Sequence, residues 1–512
     1  MSCNRSWPGF LGVLVCFVVS QFGWRSAFAA EARPPNIVFV IADDLGYAEL
    51  GCYGQKKIRT PNIDKLAAEG MRFTQHYSGN AVCAPSRCVL MTGKHPGHAF
   101  IRDNRQFKPG EEGQYPIPDE TVTLPELLKK HGYVTGGFGK WGLGAPETSG
   151  EPLNQGMDRF FGYNCQGHAH NFYPTYLRDD RRRIEIDNPV IAIPQKLPDG
   201  ANPLDPASYR PYAGKTYSAD LIFEQARKFV RDNKDRPFFL YVPTTIPHLA
   251  IQVPEDSLKE YLGQWDDPPY PGGRGYLPHF APRAAYAAMV TRMDREVGRI
   301  ADLIRELGQD ENTIYVFTSD NGPLYDKLAG TDAEFFDAAG PLRGRKGSLY
   351  EGGFRVPGIV RWKGKVSAGT TSDRVTGFED WMPTLLELIG ATTSTPKDID
   401  GISFVPTLLG QTQEPRPFLY REFPAYDGQQ CVRIGDWKGV RQKLNPRGNA
   451  KSRPAPNMHI ELYNLRDDIG ETKDVSAQHP EIVARIEKLM REQHVPSEVF
   501  PLPALDALSK SQ

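Results

Sequence analysis

The chain has 512 residues, of which 61 are Lys or Arg and 62 Asp or Glu, giving a formal charge of −1; 39% are apolar, 11% aromatic and seven are cysteine. Such a length supplies one large domain plus a smaller one, or two to four ordinary ones, and excludes a disulfide-scaffolded miniprotein. Balanced charge and ample apolar content exclude intrinsic disorder and a bulk electrostatic grip on nucleic acid, so any bound anion must be held by a local site.

At the N-terminus, Arg5 precedes an apolar run over residues 10–19, and Ala27-Phe28-Ala29 offers small residues for cleavage, the pattern of a secretory signal over residues 1–29. Its apolar core is too short for a comfortable membrane span. The expectation is export to the periplasm or the outside, with no membrane association after cleavage. Cys3 and Cys16 leave with the signal, and Cys52, Cys83, Cys88, Cys165 and Cys431 remain. An odd number in an exported chain leaves at least one thiol without an internal partner.

Next comes an apolar run over residues 36–42 that ends at Asp43-Asp44. Thr60-Pro61 starts a helix with Ile63, Leu66 and Ala67 on one face and Gly70 as its stop; Thr123-Leu124-Pro125 starts another, which Gly132 closes. Residues 133–138 run into Gly139-Lys140, and residues 237–242 lead to Pro247-His248. The Pro/Gly-rich stretch 266–278, with Trp265, Tyr270 and Tyr276 interleaved, reads as a long loop, either a substrate wall or a plain connection. From Tyr286, the spacing of Val290, Met293, Val297, Ile300, Ile304 and Leu307 predicts an amphipathic helix of several turns. Residues 313–318 end at Asp320-Asn321. Beyond about residue 410, short segments at 431–434, 437–441 and 461–465 suit a small α+β region with an antiparallel sheet.

Continuous apolar runs alternating with helices predict an α/β fold whose sheet is covered on both faces. Ligands of such sheets sit beyond the carboxyl ends of the strands, where Asp43, Asp44, Lys140, His248, Asp320 and Asn321 fall. Singly, each has a plain structural reading as a turn, cap or solvated group. Their coincidence across four strand ends points to one pocket.

The most informative stretch is Cys83-Ala84-Pro85-Ser86-Arg87, continuing to Thr92-Gly93. Pro85 fits an early helical position and places Cys83 at a helix N-terminus, where free N–H groups favour negative charge. The plain reading of Cys83 is a small buried apolar residue. Here the sequence resembles the sulfatase family, whose Cys-x-Pro-Ser-Arg signature followed by Thr-Gly it matches without a break, and the likeness extends over most of the mature chain. In overall pattern it looks most like the arylsulfatase A and N-acetylgalactosamine-6-sulfatase branch.

The resemblance implies an alkaline phosphatase-like large sheet flanked by helices, with a catalytic α/β domain over residues 30–410 and a C-terminal α+β subdomain with an antiparallel sheet over 411–512. It implies that a dedicated modifying enzyme oxidises Cys83 to formylglycine, whose hydrate is the nucleophile. Asp43 and Asp44 match the family's first pair of metal ligands and Asp320-Asn321 the second, with residue 83 completing the site; an all-oxygen set suits Ca²⁺ first and Mg²⁺ second. Lys140, Lys346 and His248 match sulfate-contacting positions, Lys346 lying in Arg343-Gly344-Arg345-Lys346 ahead of Glu351-Gly352-Gly353-Phe354-Arg355. Arg87, Lys140, Lys346 and the helix N-terminus would hold charge on the non-bridging oxygens, and His248 or Lys346 would protonate the leaving alcohol. The second hydroxyl of the hydrate then lets sulfate be expelled from the covalent hemiacetal with the aldehyde restored.

One position departs from the family. Sulfatases commonly read Gly-Lys-Trp-His-Leu-Gly, whereas this chain has Gly139-Lys140-Trp141-Gly142-Leu143-Gly144. His168 and His170, in His-Ala-His-Asn-Phe-Tyr, could fill the gap from a neighbouring loop, though their plainer reading is as surface histidines; another reading is that Gly142 opens room for a bulkier substrate. The expected substrate is a sulfated carbohydrate or aryl sulfate, with hexosamine or galactose 6-sulfates as first candidates. Two alternatives stand beside it: a phosphonate monoester or phosphodiester hydrolase of the same superfamily, and an inactive secreted glycan-binding protein.

Overall fold

A computed structural model describes residues 33–325, 327–447 and 454–509; the expected signal at 1–29 lies outside them. From Pro35 onward the chain forms one compact unit. Its main sheet has eleven strands: β1 (Asn36–Ala42), β2 (Met71–Tyr77), β3 (Val134–Lys140), β4 (Arg159–Tyr163), β5 (Tyr176–Asp179), β6 (Arg182–Glu185), β7 (Phe238–Pro243), β8 (Thr313–Ser319), β9 (Arg355–Trp362), β10 (Thr370–Ser372) and β11 (Thr376–Gly377). Their order is β10-β2-β9-β8-β1-β7-β3-β4-β5-β6, with β11 beside β2.

The four strands expected from the sequence are the central ones, β8-β1-β7-β3, and they are mutually parallel. On both flanks the sheet becomes mixed, because β9 runs antiparallel to β8 and β2, and β5 runs antiparallel to β4 and β6. Every residue of β1 is buried. Val38, Val40 and Ala42 join one apolar layer and Ile37, Phe39 and Ile41 the other, as strand alternation requires. Each such Val, Ile or Phe contributes about 1.5–3 kcal/mol by burial.

Helices Pro61–Ala68, Ser218–Asp232 and Pro282–Glu306 cover the first face. The last is the amphipathic helix expected from Tyr286, beginning at Pro282, where proline suits the first turn. Helices Cys83–Thr92, Leu124–Lys130 and Trp381–Leu388 cover the second face. Thr123 and Glu126 close a reciprocal capping box at the start of Leu124–Lys130.

The C-terminal region carries a separate antiparallel sheet, β12 (Leu419–Phe423), β13 (Gln429–Ile434), β14 (Trp437–Gln442) and β15 (Glu461–Asn464), in sequential order. Helix Pro480–Glu492 packs Ile486 and Met490 against Tyr420, Val432 and Leu462 of that sheet.

Candidate active site

The central strands all end at the same edge of the sheet. Ala42 of β1 pairs with Ser319 of β8, and the backbone contact continues one step further, with Asp320 N–H donating to the Ala42 carbonyl at 3.0 Å. Asp43-Asp44 and Asp320-Asn321 therefore leave neighbouring strands side by side. Asp44 turns sharply at φ 67°, a left-handed conformation that Asp tolerates better than most residues. Its N–H donates to Asp320 Oδ1 at 3.1 Å. Lys140 is the last residue of β3, and His248 lies five residues beyond β7.

Helix Cys83–Thr92 is buried along its whole length and begins at Cys83 itself. Asn104 Oδ1 accepts the Ala84 N–H at 2.8 Å. The Cys83 thiol donates to Asp43 Oδ1 at 3.4 Å, and the ammonium groups of Lys140 and Lys346 approach its sulfur at 3.5 and 3.4 Å. Lys140 Nζ also bonds Asp43 Oδ2 at 2.6 Å, and Lys346 Nζ bonds Asp44 at 2.7 and 2.8 Å. Arg87 donates through Nε and Nη2 to Asp320 Oδ2 at 3.1 and 2.7 Å, and through Nη1 to the Lys140 carbonyl. Its guanidinium thus ties two strand ends together. His248 places Nε2 3.4 Å from Asp44 Oδ2, with Nδ1–H given to the Leu249 carbonyl.

Burial and competing charges set the protonation pattern. Burial alone would raise Asp43, but the charges of Lys140, Arg87 and Lys346 outweigh it and hold the carboxyl well below its usual range. Burial, with help from Asp43 and Asp320, pushes Asp44 up to about 6 against the pull of Lys346. Asp320 is also raised, by burial and Asp43. Burial lowers His248 and Lys346 reinforces the shift, so its imidazole is neutral. The Cys83 thiol is pushed up to about 12 by burial and Asp43, which leaves it protonated at neutral pH and a poor nucleophile as it stands.

The oxygens fit a hard cation. Asp43, Asp44, Cys83 and His248 offer donor atoms within 4.8 Å of one another. Asn321 gives its Nδ2 to Asp44 Oδ1 at 2.7 Å and leaves Oδ1 buried without a partner. A buried acceptor with no donor costs about 1–3 kcal/mol, and a cation held by carboxylate and amide oxygens would satisfy it. Here the sequence expectation and the geometry differ in two respects: His248, read as a sulfate contact, lies among the possible donors, and Asp320, read as a ligand, lies outside that group, with Oδ1 accepting the Asp44 N–H and Oδ2 held by Arg87.

The question raised by Gly142 has a structural answer. A β-carbon there, at φ 83°, would lie 1.9 Å from Gln166 Nε2. The space is filled by Gln166, so Gly142 does not open room for substrate. Gln166 is 4% exposed, and neither its Nε2 nor its Oε1 has a partner. Of the two histidines expected to fill the gap, His170 reaches the site, its ring stacked on His248 at 4.7 Å and 7°. His168 instead stacks on Tyr176 at 4.0 Å. Gln166 and Asn104 went unread in the sequence, since neither belongs to a motif and both act through tertiary proximity. The cysteines Cys52, Cys83, Cys88, Cys165 and Cys431 are all free.

Comparison with known proteins agrees with this geometry. The sulfatase family model matches residues 35–391, and the model for the N-sulphoglucosamine sulphohydrolase C-terminal region matches residues 345–495. Human arylsulfatase A is 32% identical over 91% of this chain and 88% of its own length. Human N-acetylgalactosamine-6-sulfatase is 31% identical over 93% and 88%. Among solved structures, Ps i-CgsB in complex with k-i-k-neocarrahexaose superposes with a TM-score of 0.70 at 25% identity, covering 90% of this chain and 92% of that one. With a family match spanning most of the fold and relatives aligned nearly end to end, the chain belongs to the sulfatase family and is a sulfuric ester hydrolase.

Proposed function

We propose that this protein is an exported sulfatase that removes sulfate from a sulfated sugar or polysaccharide, using Cys83 converted to formylglycine and a Ca²⁺ ion held by Asp43, Asp44, Asp320, Asn321 and residue 83. The observation that carries this reading is the placement of the Cys83 sulfur between Asp43, Lys140 and Lys346 at 3.4–3.5 Å. The sugar assignment rests on the names of the relatives and on the oligosaccharide in the complex of Ps i-CgsB; hexosamine and galactose 6-sulfates are the first substrates to assay. Mg²⁺ is the second choice of ion. Residues 1–29 act as the export signal, 30–410 as the catalytic domain and 411–512 as the C-terminal subdomain, and a formylglycine-generating or equivalent enzyme supplies the modification.

When bound, the cation supplies Lewis-acid polarisation to a sulfate oxygen and to the hydrated aldehyde. Lys140 and Lys346, both kept charged by the acidic groups around them, hold negative charge on the non-bridging sulfate oxygens. Arg87 fixes the Asp320 carboxylate and the end of β3 through its bonds to both. In this reading Lys346, protonated, gives a proton to the leaving alcohol oxygen, with His248 as the alternative donor. His248, neutral and with Nδ1–H engaged, presents Nε2 as a proton acceptor, a role suited to the second hydroxyl of the hydrate.

The test combines chemistry and mass. A peptide containing residue 83 from the native host should carry the aldehyde or its hydrate, and Cys83→Ala should abolish hydrolysis of 4-nitrophenyl sulfate. A native protein carrying only the thiol, or sulfate release by the Ala variant, overturns the mechanism. Faster hydrolysis of the matched aryl phosphate or phosphonate would assign the site to the hydrolase alternative. Tight glycan binding without turnover in modified protein would assign it to a binding protein.

A further inference from the structure

Lys346, bonded to Asp44 and beside Cys83, is followed by Gly347. A β-carbon on Gly347 would lie 2.7 Å from the Tyr325 hydroxyl oxygen and 3.3 Å from Tyr426 Cδ1. Two tyrosines therefore rest on the backbone immediately after the lysine that faces the reacting residue. Both are open to solvent, at 37% and 43% exposure, among the few large apolar side chains so placed. They come from distant segments: Tyr325 from the stretch after Asn321, and Tyr426 from the turn between β12 and β13, where its φ of 49° lifts it out of the strand path. Its ring is backed by Phe423, stacked at 5.4 Å and 29°.

A third tyrosine closes the arrangement. Tyr276, from the Pro/Gly-rich loop, meets His170 edge-on at 5.3 Å and His248 at 6.2 Å. The Lys346 ammonium acts on the hydroxyls of Tyr276, Tyr325 and Tyr426 alike, partly offsetting the rise that burial imposes on each. Tyrosine offers a rigid apolar face and a polar tip at low entropic cost. Exposed rings grouped around a charged pocket mark a binding surface.

We propose that Tyr325, Tyr426 and Tyr276 form an aromatic rim that selects the leaving group, stacking on the C–H faces of a sulfated pyranose. The proposal deepens the sulfatase reading above and rests on it. It makes the C-terminal sheet a contributor to specificity through one side chain, Tyr426. The Pro/Gly-rich loop becomes a substrate wall rather than a plain connection.

The experiment compares Tyr426→Ala, Tyr325→Ala and the double variant with wild type, all produced in the host that modifies Cys83. The probes are 4-nitrophenyl sulfate and whichever of galactose 6-sulfate, N-acetylgalactosamine 6-sulfate or N-acetylglucosamine 6-sulfate the wild type hydrolyses fastest. The double variant should lose at least ten-fold more kcat/KM on the sugar than on the aryl sulfate, mainly through KM, and Tyr426→Phe should keep the wild-type ratio. Equal losses on both probes, or no loss on the sugar, overturn the rim. If wild type hydrolyses none of the probes, the sulfatase reading fails on its own terms. Calorimetry with the same three sugars then tests the rim: wild-type binding that the double variant loses supports it, and no wild-type binding or unchanged binding overturns it.

Discussion

Cys83 sits where no ordinary cysteine nucleophile would be placed. Its thiol is fully enclosed beside a carboxylate, and burial suppresses the thiolate. Around it, Asp43, Asp44 and Asp320 face Arg87, Lys140 and Lys346 in a buried cluster, where each unpaired charge would cost several kcal/mol. Away from the site, His76 shows burial acting with little compensation. Its Nδ1–H donates to Thr376 Oγ1 at 2.8 Å and Nε2 faces Trp381 Nε1 at 3.4 Å. Burial pushes its pKa down to about 3, with Glu379 raising it and Arg421 lowering it. The unfolded chain binds this proton near pH 6.5 and the folded one does not. Stability is therefore complete above pH 6.5 and falls as pH drops toward 3, at about 1.4 kcal/mol per pH unit for this group. In urea unfolding between pH 6 and 4, His76→Gln should show a slope shallower by about one proton; parallel slopes would refute this.

At the scale of elements, the parallel pairing of β1 with β8 sets the acidic cluster, because equal register brings the residues after Ala42 and Ser319 together. The loop after β8 is then pressed against the segment that follows Lys346. Gly322 N–H donates to the Gly353 carbonyl at 2.9 Å, and a β-carbon on Gly322 would lie 1.9 Å from the Gly352 carbonyl oxygen. Both partners are backbone, so neither yields easily. Gly322→Ala should cost about 1–3 kcal/mol in urea unfolding and, if the proposed Ca²⁺ site holds, weaken Ca²⁺ binding measured by calorimetry, since Asn321 must shift with it. Gly167, which has open space around its Cα, supplies the control: Gly167→Ala should stay within about 0.5 kcal/mol of wild type.

For the molecule as a whole, the second sheet is fastened to the first by buried charge. Lys438 of β14 bonds Glu351 and Glu471 at 2.9 Å each, and all three side chains are fully enclosed. Burial opposes ionisation of Glu351, but Lys438 and Arg355 hold it down at about 2; burial pushes Glu471 up to about 7 despite the same lysine. Glu351 opens the short helix that precedes β9, a few residues beyond Lys346, so the C-terminal sheet braces the segment that delivers the lysine to the site. Lys438→Met should destabilise by about 3–5 kcal/mol at pH 8, because Glu471 is left buried without its cation and Glu351 keeps only Arg355. The deficit should narrow toward pH 5, where Glu471 folds protonated; an equal deficit at both pH values would argue against unpaired charge as the cause.

Much of this was readable from local pattern. Uninterrupted apolar runs marked β1, β3, β7 and β8, because strands buried on both faces need no polar alternation. The Cys83 segment and the acidic pairs were legible because their chemistry depends on residue type and near neighbours in the chain. The flanking β2 and β9 were not: polar Arg72, Thr74, Gln75 and His76 interrupt any continuous apolar run in β2, and β9 carries Pro357 and Gly358, which weaken a strand reading. Sequence alone determined the central strands, the helix that starts at Cys83 and the acidic pairs at the strand ends. Only the tertiary structure decided that Gln166 fills the place beside Gly142, that His170 and not His168 stacks on His248, and that Tyr426 reaches the backbone after Lys346 from a different sheet. Those contacts join residues far apart in the chain, and their positions follow from how the sheets and loops pack rather than from any local spacing.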